Sequence, residues 1–565
     1  MANKILTPVT LWQDIDILCE DGYEIISETV SDGLTIRELY FYGKPGKDKM
    51  SIKLYGVYVF SEQQDCENVI LVQDKVQHCI NLPLMKKIAK DLDVSVFSVD
   101  VAGKREEVSL YTIYPEEISF ANYEKAKENL MYMPDDSTQT CWFYWTLATL
   151  YAVDFLRDNF GIKNVGLFGV NEGADILWKT SALDGNIKAN CFVNAAGWAV
   201  YKGKYKYSDD SEPDFNDQVY KWLSGFDSQT YSKFIKTPIL MLSQTNNRDY
   251  DTDRAYDTLI RTENNENAFI YYIIGSDCYL DSTAEINIKH FFDRYLTNSK
   301  EYFPTIHPKT EVKIENEQLR IEVSFDDEMP VKEVRVFVSE GVLMPALRDW
   351  YRVTDFEETE GNKITCTYNP DARSKIAFVI ADITYESGVR LSSAINPCIF
   401  DDTIVSNRLR KQIIYDGSLE GAKAFIPNVN ENMLDCGLFM NEQEQIYIEK
   451  GPFGIKGITC RGGLKTFKLN DISDKPKNGS SLMFDVFCEE DAQLKIEFIE
   501  NVFEENQESY VYEMPLSGGK IWQNVIIEPT KSSNANNIHL KSFEKVNLMI
   551  ISCDKDYLLN NILWI

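Results

Sequence analysis

Residues 164–174 read Asn-Val-Gly-Leu-Phe-Gly-Val-Asn-Glu-Gly-Ala. Val165, Leu167 and Phe168 give an apolar strand, Gly169 to Gly173 a sharp turn, and Ala174 to Leu183 a helix. In a G-x-S-x-G turn the glycines allow a strained strand-to-helix backbone, which pushes the middle side chain into the open with helix amides behind it. Here the middle position is Asn171. A neutral carboxamide is a poor nucleophile, so the spacing predicts that the turn is kept while the group that would act is absent.

Outward from this turn, short apolar runs alternate with longer helical ones: NVILVQ, LMKKIAKDL, VSVFSVD, TCWFYWTLATLYAVDFLRDNFG, NVGLFG, ILWKTSAL and KANCFVNAAG. Strand, helix, strand, helix in that order predicts an α/β domain, a mostly parallel, doubly wound sheet with helices on both faces. Residues 141–156 are apolar nearly all round and read as a buried helix. Alternation over 23–60 predicts two or three antiparallel strands leading the domain. After a less regular insertion near 200–235, strands at 238–244 and 268–275 flank a helix near 253–261, and a helix at 288–296 closes the domain.

Pro304 and Pro308 bracket a change of character. Alternating strand patterns then predict a sandwich of about seven strands, and the remainder, again strand-like with Gly and Asn turns, reads as a jelly-roll-like β-domain. The expected division is 1–303, 304–402 and 403–565, in keeping with the size at which single cores stop growing. The 88 acidic against 58 basic residues give a net charge of -30, which opposes nucleic acid and anionic membranes as partners. No run approaches a membrane span and the first residues lack a signal-peptide pattern, so a cytoplasmic protein is expected. Twelve cysteines without a C-x-x-C pair read as reduced packing residues.

Three points in chain order now matter: the turn at Gly169–Gly173, the strand end SQTNNRDYDTD (243–253) and the strand end GSDCYLD (275–281). In their order and spacing the chain resembles the α/β-hydrolase superfamily, and within it the acetyl-xylan-esterase and cephalosporin-deacetylase-like branch that carries a β-sandwich after the hydrolase domain. The resemblance covers about residues 10–300. It implies a nucleophile, an acid and a histidine base at these three points, where this sequence has Asn171, Asn247 and Cys278. Gly169, Glu172, Gly173, Gln73, Asp74, Asp249 and Asp277 are the elbow and pocket positions it implies. The loop QDKVQHC (73–79) lacks the His-Gly pair that often precedes the oxyanion amide in relatives. RDWYRV (348–353) and ADITYESGVRLSSAI (381–395) look like strand motifs that follow such domains. The tail resembles carbohydrate-binding modules in strand pattern alone, which implies no ligand.

Acyl transfer needs an imidazole within reach of the nucleophile. His290, His307 and His539 read as structural or solvent-facing, whereas His78 lies in a loop that can approach the elbow. Cys278 is flanked by Asp277 and Asp281, which raise a thiol's pKa. Glu172 at a helix start is stabilised by exposed amides, and with Asp249, Asp251, Asp253 and Asp277 it reads either as an acidic pocket or as one of a set of solvated carboxylates. No metal motif, phosphate loop or dinucleotide fingerprint occurs, so neither metal nor cofactor is expected. Trp522 and Trp564 read as core residues or as sugar-stacking platforms. The sequence thus points to a non-catalytic relative of carbohydrate esterases, binding a carbohydrate or protein ligand or serving as a scaffold. The alternatives are an ester hydrolase using Cys278, Glu172 or His78, and a protein whose β-domains do the binding.

Overall fold

The computed structural model describes residues 6–565 except 16, 18, 45–49, 62–66, 107, 263–264, 300–302, 327, 401–402, 409–411, 419–424 and 472. The first domain is built on nine strands: β1 (Cys19–Ser31), β2 (Leu34–Gly43), β3 (Ile52–Phe60), β4 (Asn68–Gln73), β5 (Ser95–Val99), β6 (Asn164–Val170), β7 (Ile187–Val193), β8 (Ile239–Gln244) and β9 (Ala268–Ile273). They form one sheet in the order β1-β2-β3-β5-β4-β6-β7-β8-β9. The leading strands and the β3–β5 pair are antiparallel, and every pair from β5 through β4 to β9 is parallel. The crossing of β5 and β4 sends helices to both faces, and all parallel strands end at one edge, where ligands of open α/β sheets bind.

Local chemistry sets the helices. Leu82–Leu92 starts where the Asn81 side chain accepts from the Leu84 amide, has proline in its first turn, and ends at Asp93 in the left-handed region. Cys141–Phe160 is capped by Thr140, which accepts from the Phe143 amide, and is stopped by Gly161 at φ 67°. Every residue from Cys141 to Val153 is buried, which accounts for its lack of a polar face. The closing helix runs from Ser282 to Tyr295, longer than the expected 288–296. The Asp281 side chain caps it by accepting from the Ala284 amide at 2.9 Å, whereas the apolar period that suggested a start begins only at Ile288.

The stretch expected to be the second domain has nine strands among the described residues rather than about seven, in sheets of four and five. The surplus comes from short pieces such as Tyr351–Arg352 and Asn396–Ile399. The tail is two antiparallel sheets of six and five strands around Leu464, Leu494, Ile496, Met549 and Leu559, all fully buried. The boundary expected at 402 falls on a residue outside the described ones. Eleven described cysteines are free, and Cys66 lies outside the described residues. No described helix is long and apolar enough to cross a membrane. Trp564 is buried, as the core reading expects, and Trp522 is half-buried, its ring tilted against Phe487 while it donates to the Pro452 carbonyl.

Candidate functional site

At the elbow, Asn171 sits at φ 54° and ψ -125°, a conformation that costs a non-glycine residue about 1–3 kcal/mol. Packing holds it there. A Cβ at Gly173 would lie 2.3 Å from the Gln73 carbonyl oxygen, and one at Gly169 would lie 2.5 Å from the Ala174 Cα. The two glycines let β6 and the helix Glu172–Leu183 close onto each other and onto the end of β4, which pairs Gln73 with Gly169.

The Asn171 side chain is not presented as an attacking group. Its Oδ1 accepts from Asn194 Nδ2 at 3.0 Å; the same Nδ2 lies 3.4 Å from Gln244 Oε1, which also accepts from Asn247 Nδ2 at 2.9 Å. Asn247 Nδ2 donates onward to the Asp277 carbonyl at 3.0 Å. A chain of carboxamides therefore runs across the ends of β6, β7 and β8 and joins the first two of the three implied positions. The third does not join it. The Cys278 thiol turns to the third domain, where it donates to the Val429 carbonyl at 3.7 Å and packs with Leu434 and Met440. Burial, then the neighbouring Asp277, pushes that thiol far above its ordinary range.

The oxyanion region is also changed. Glu172 follows the apex of the turn, so its amide N–H is the donor that would face a developing oxyanion, and its carboxyl is itself buried at this point. Burial raises its pKa, Asp175 and Asp74 add to the rise, and Oε2 has no partner among the described residues. Asp74, raised by burial, accepts from the Lys75 amide and from Asn81 Nδ2, both at 2.7 Å. Gln73 is fully buried and donates to the Val99 carbonyl at 3.0 Å. His78 and His539 are exposed.

The expected acidic pocket does not assemble: the solvated alternative holds for Asp249, which is exposed, while Asp251, Asp253 and Asp277 are largely withdrawn from solvent. Asp249 pairs with Lys202, Asp251 with Arg254, Asp253 with Arg348, and Asp277 with Lys465. Two of these cations come from the other domains. Arg348, from the stretch read as a strand, makes a bidentate pair with Asp253 at 2.6 and 2.8 Å, both side chains being fully buried. Asn246 Nδ2 donates to the Ala346 and Arg348 carbonyls. From the third domain, Glu431 pairs with Lys75, and the Leu438 carbonyl accepts from the Leu280 amide at 2.7 Å. The edge at which a hydrolase would admit substrate is thus partly covered by the chain's own β-domains. Among the described residues no group of three or more His, Cys, Asp or Glu is placed to hold a metal ion.

Beside the elbow a cavity of about 80 Å³ remains, lined by Asp175, Trp198, Tyr201, Asn247, Asp249 and Tyr250 and bounded by Met344–Ala346 of the second domain. Under its floor lies a polar cluster that the sequence reading missed. Asp175 accepts from Ser228 Oγ at 2.6 Å and from the Gly197 amide at 3.1 Å. Asp227 accepts from the Trp198 amide and from Trp222 Nε1. Lys179, almost fully buried, donates to the Asp175 carbonyl at 2.8 Å and lies 5.1 Å from the centre of the Trp142 ring. Burial lowers Lys179 to about 8 against the attraction of Asp175 and Asp227, and burial, then Asp175, raises Asp227 to about 6.

A pH dependence follows. The folded chain releases the Lys179 proton near pH 8, while the unfolded chain keeps it to about 10.5. Between these values the unfolded state holds more protons, so this group's contribution to stability is smallest below pH 8 and rises with pH. Urea unfolding of the wild type and of Lys179→Met from pH 7.5 to 10.5 measures the effect: the stability of the wild type relative to the variant rises with pH, and a difference that does not change with pH contradicts the assignment.

Sheet order, crossover and elbow position decide the fold. The first domain is an α/β-hydrolase fold. It carries one additional leading strand, β1, and places the elbow after β6 and the other two loops after β8 and β9. No family model and no curated protein sequence matches the chain. Among solved structures it is similar to the acetyl xylan esterase from Paenibacillus sp. R4, at 14% identity and TM-score 0.36, over 51% of this chain and 92% of that one. Acetyl xylan esterase 1 from Thermoanaerobacterium sp. JW/SL YS485 gives 12% and 0.34, over 49% and 89%. A cold-adapted esterase from an Arctic intertidal metagenomic library gives 12% and 0.34, over 49% and 100%.

Proposed function

We propose that this chain is a non-catalytic relative of carbohydrate esterases, in which Asn171, Asn247 and Cys278 stand at the positions of a lost triad and the cavity beside the elbow serves binding. The observation that carries this reading is the engagement of Asn171 Oδ1 by Asn194 within the amide chain. The apex of the turn has become a structural hydrogen-bond acceptor, with no imidazole beside it. Glu172 strengthens the reading, because its buried carboxyl, raised by burial, stands at the start of the helix behind the turn, where an ester's transition state would need open amide donors. Trp198, Tyr201 and Tyr250 together with Asp175, Asn247 and Asp249 combine aromatic faces with hydrogen-bonding groups, a set suited to a neutral polyhydroxylated ligand such as a short sugar.

Hydrolysis of p-nitrophenyl acetate and acetylated xylo-oligosaccharides by the purified chain tests the first half. The expected rate equals that of Asn171→Ala, and Asn171→Ser remains inactive because no base stands at position 278. Turnover abolished by Asn171→Ala or Cys278→Ala overturns the reading. Calorimetric titration with deacetylated xylo-oligosaccharides tests the second half: binding that Trp198→Ala removes is expected, and an absence of binding leaves the scaffold role alone.

A further inference from the structure

Gly197 and Trp198 line the cavity beside the elbow, and both lie in the left-handed region, at φ 88° and 68°. Two carboxylates from different elements hold their consecutive amides. Asp175 accepts from the Gly197 amide at 3.1 Å, and both oxygens of the buried Asp227 accept from the Trp198 amide, at 3.1 and 2.9 Å. Gly197 admits that grip, because a Cβ there would lie 2.2 Å from Asp227 Oδ1. A tryptophan in this region is strained, and the grip opposes its relaxation.

Asp227 also accepts from the Gln229 amide on Oδ1 at 3.2 Å and from Trp222 Nε1 on Oδ2 at 3.1 Å. Among the described residues each oxygen thus faces only N–H donors. A proton on either oxygen meets a donor, and a hydrogen bond must give way. The Trp198 amide is the donor common to both oxygens, and its departure relieves strain. Lys179 supplies the counter-charge: Nζ lies 3.4 Å from Ser228 Oγ, which donates to Asp175 at 2.6 Å. Glu172 and Tyr250 also act on Asp175, and Tyr201 acts on Asp227; burial pushes both tyrosines up, so they stay neutral. Burial, then Asp175, sets Asp227 to about 6, with Lys179 opposing the rise.

We propose that Asp175 and Asp227 form a latch on the cavity wall, held shut by the charge of Lys179, and that one proton taken up by Asp227 from solvent releases the Trp198 amide and lets the wall carrying its indole shift. Lys179 and Asp227 are positioning residues. Neither lines the cavity, and both act through Trp198.

Isotope labelling of the tryptophan nitrogens in the full chain and an NMR titration from about pH 8 to about pH 5 test this, each signal being assigned by its absence from a phenylalanine variant. The Trp222 indole N–H, bound to Asp227, reports the proton, and the Trp198 indole N–H, bound to Thr258 Oγ1 at 2.9 Å, reports the wall. Trp522, in the third domain, is the control. In the wild type the first two signals move with one midpoint near 6 while Trp522 stays in place. In Asp227→Asn neither moves. Lys179→Met raises the midpoint by about one unit, a shift that a merely structural role of Lys179 does not produce. A Trp222 signal that moves without Trp198, a wild type in which neither moves, or an unchanged midpoint in Lys179→Met overturns the proposal. Its consequence for ligands rests on the binding proposed above: the affinity for xylo-oligosaccharides, measured by calorimetry, falls at least about tenfold between pH 7.5 and 5.5. Equal affinity at both values overturns the latch, whereas no binding at either strikes the proposed binding alone and leaves the indole signals to decide the latch.

Discussion

Replacing Arg348 by alanine is expected to cost about 3–5 kcal/mol, the loss seen when one partner of a buried ion pair is removed and the other charge is left without compensation. All three guanidinium nitrogens donate inside the protein. Nη1 and Nη2 reach the two oxygens of Asp253, Nε donates to the Val342 carbonyl at 3.0 Å, and Nη2 also reaches the Leu343 carbonyl. Its plane lies over the Phe378 ring at 3.5 Å. Because Asp253 belongs to the first domain and Arg348 to the second, the loss falls on the joint between them. Urea unfolding followed by tryptophan fluorescence should show the wild-type transition moved to lower denaturant or split in two. Asp253→Ala should cost as much, and Arg348→Met with Asp253→Leu together much less than the sum of the two alanine changes, since the pair is then removed as a unit. Arg348→Lys should fall between, because an ammonium cannot span both carboxylate oxygens. A cost of under about 1 kcal/mol for the alanine change, the range of exposed pairs, would mean that the domains do not depend on this contact.

The pair also shows why some of the molecule was legible in the sequence and some was not. The α/β alternation is a local pattern whose expectation the sheet order met, and the elbow glycines are another, met by the strained turn at Asn171 between β6 and the helix that follows. Arg348 sits in a motif that suggests a strand, and Asp253 in one that suggests a loop acid. Their 95-residue separation hides the pairing from any reading of local periodicity. The same holds for Asn194 and Gln244, polar residues at strand ends that become links of the amide chain only once β7 and β8 lie side by side. Lys179 was invisible for another reason. A lysine inside a helical run is ordinarily read as solvent-facing, and only packing against Trp142 and Tyr231 makes it an interior charge. The strand count of the second domain was low because two- to four-residue strands carry too little alternation to register.

Gly173→Ala should cost at least the upper end of the roughly 1–3 kcal/mol that overpacking usually costs, and it bears directly on why an elbow persists without its nucleophile. The atoms that a Cβ would meet are the carbonyl oxygens of Gln73 and Asp74, at 2.3 and 2.5 Å, both main chain and one of them at the end of a central strand. Neither can turn away as a flexible side chain would, so the helix Glu172–Leu183 must lift from the sheet and take with it the buried face of Ile176, Leu177 and Trp178. Gly185 is the control. A Cβ there meets nothing within 4 Å and its backbone lies outside the left-handed region, so Gly185→Ala should stay within about 0.5 kcal/mol of the wild type. Thermal unfolding measures both, and the change in near-ultraviolet circular dichroism between wild type and variant reports loss of aromatic packing such as that of Trp178. If Gly173→Ala is as costly as expected, the motif is retained because β4, β6 and this helix cannot otherwise pack, and the glycines say nothing about catalysis. If it is mild, packing does not account for the retained geometry, and a bound ligand at the helix start beside Glu172 becomes the better reason for a strained Asn171 to stay where it is.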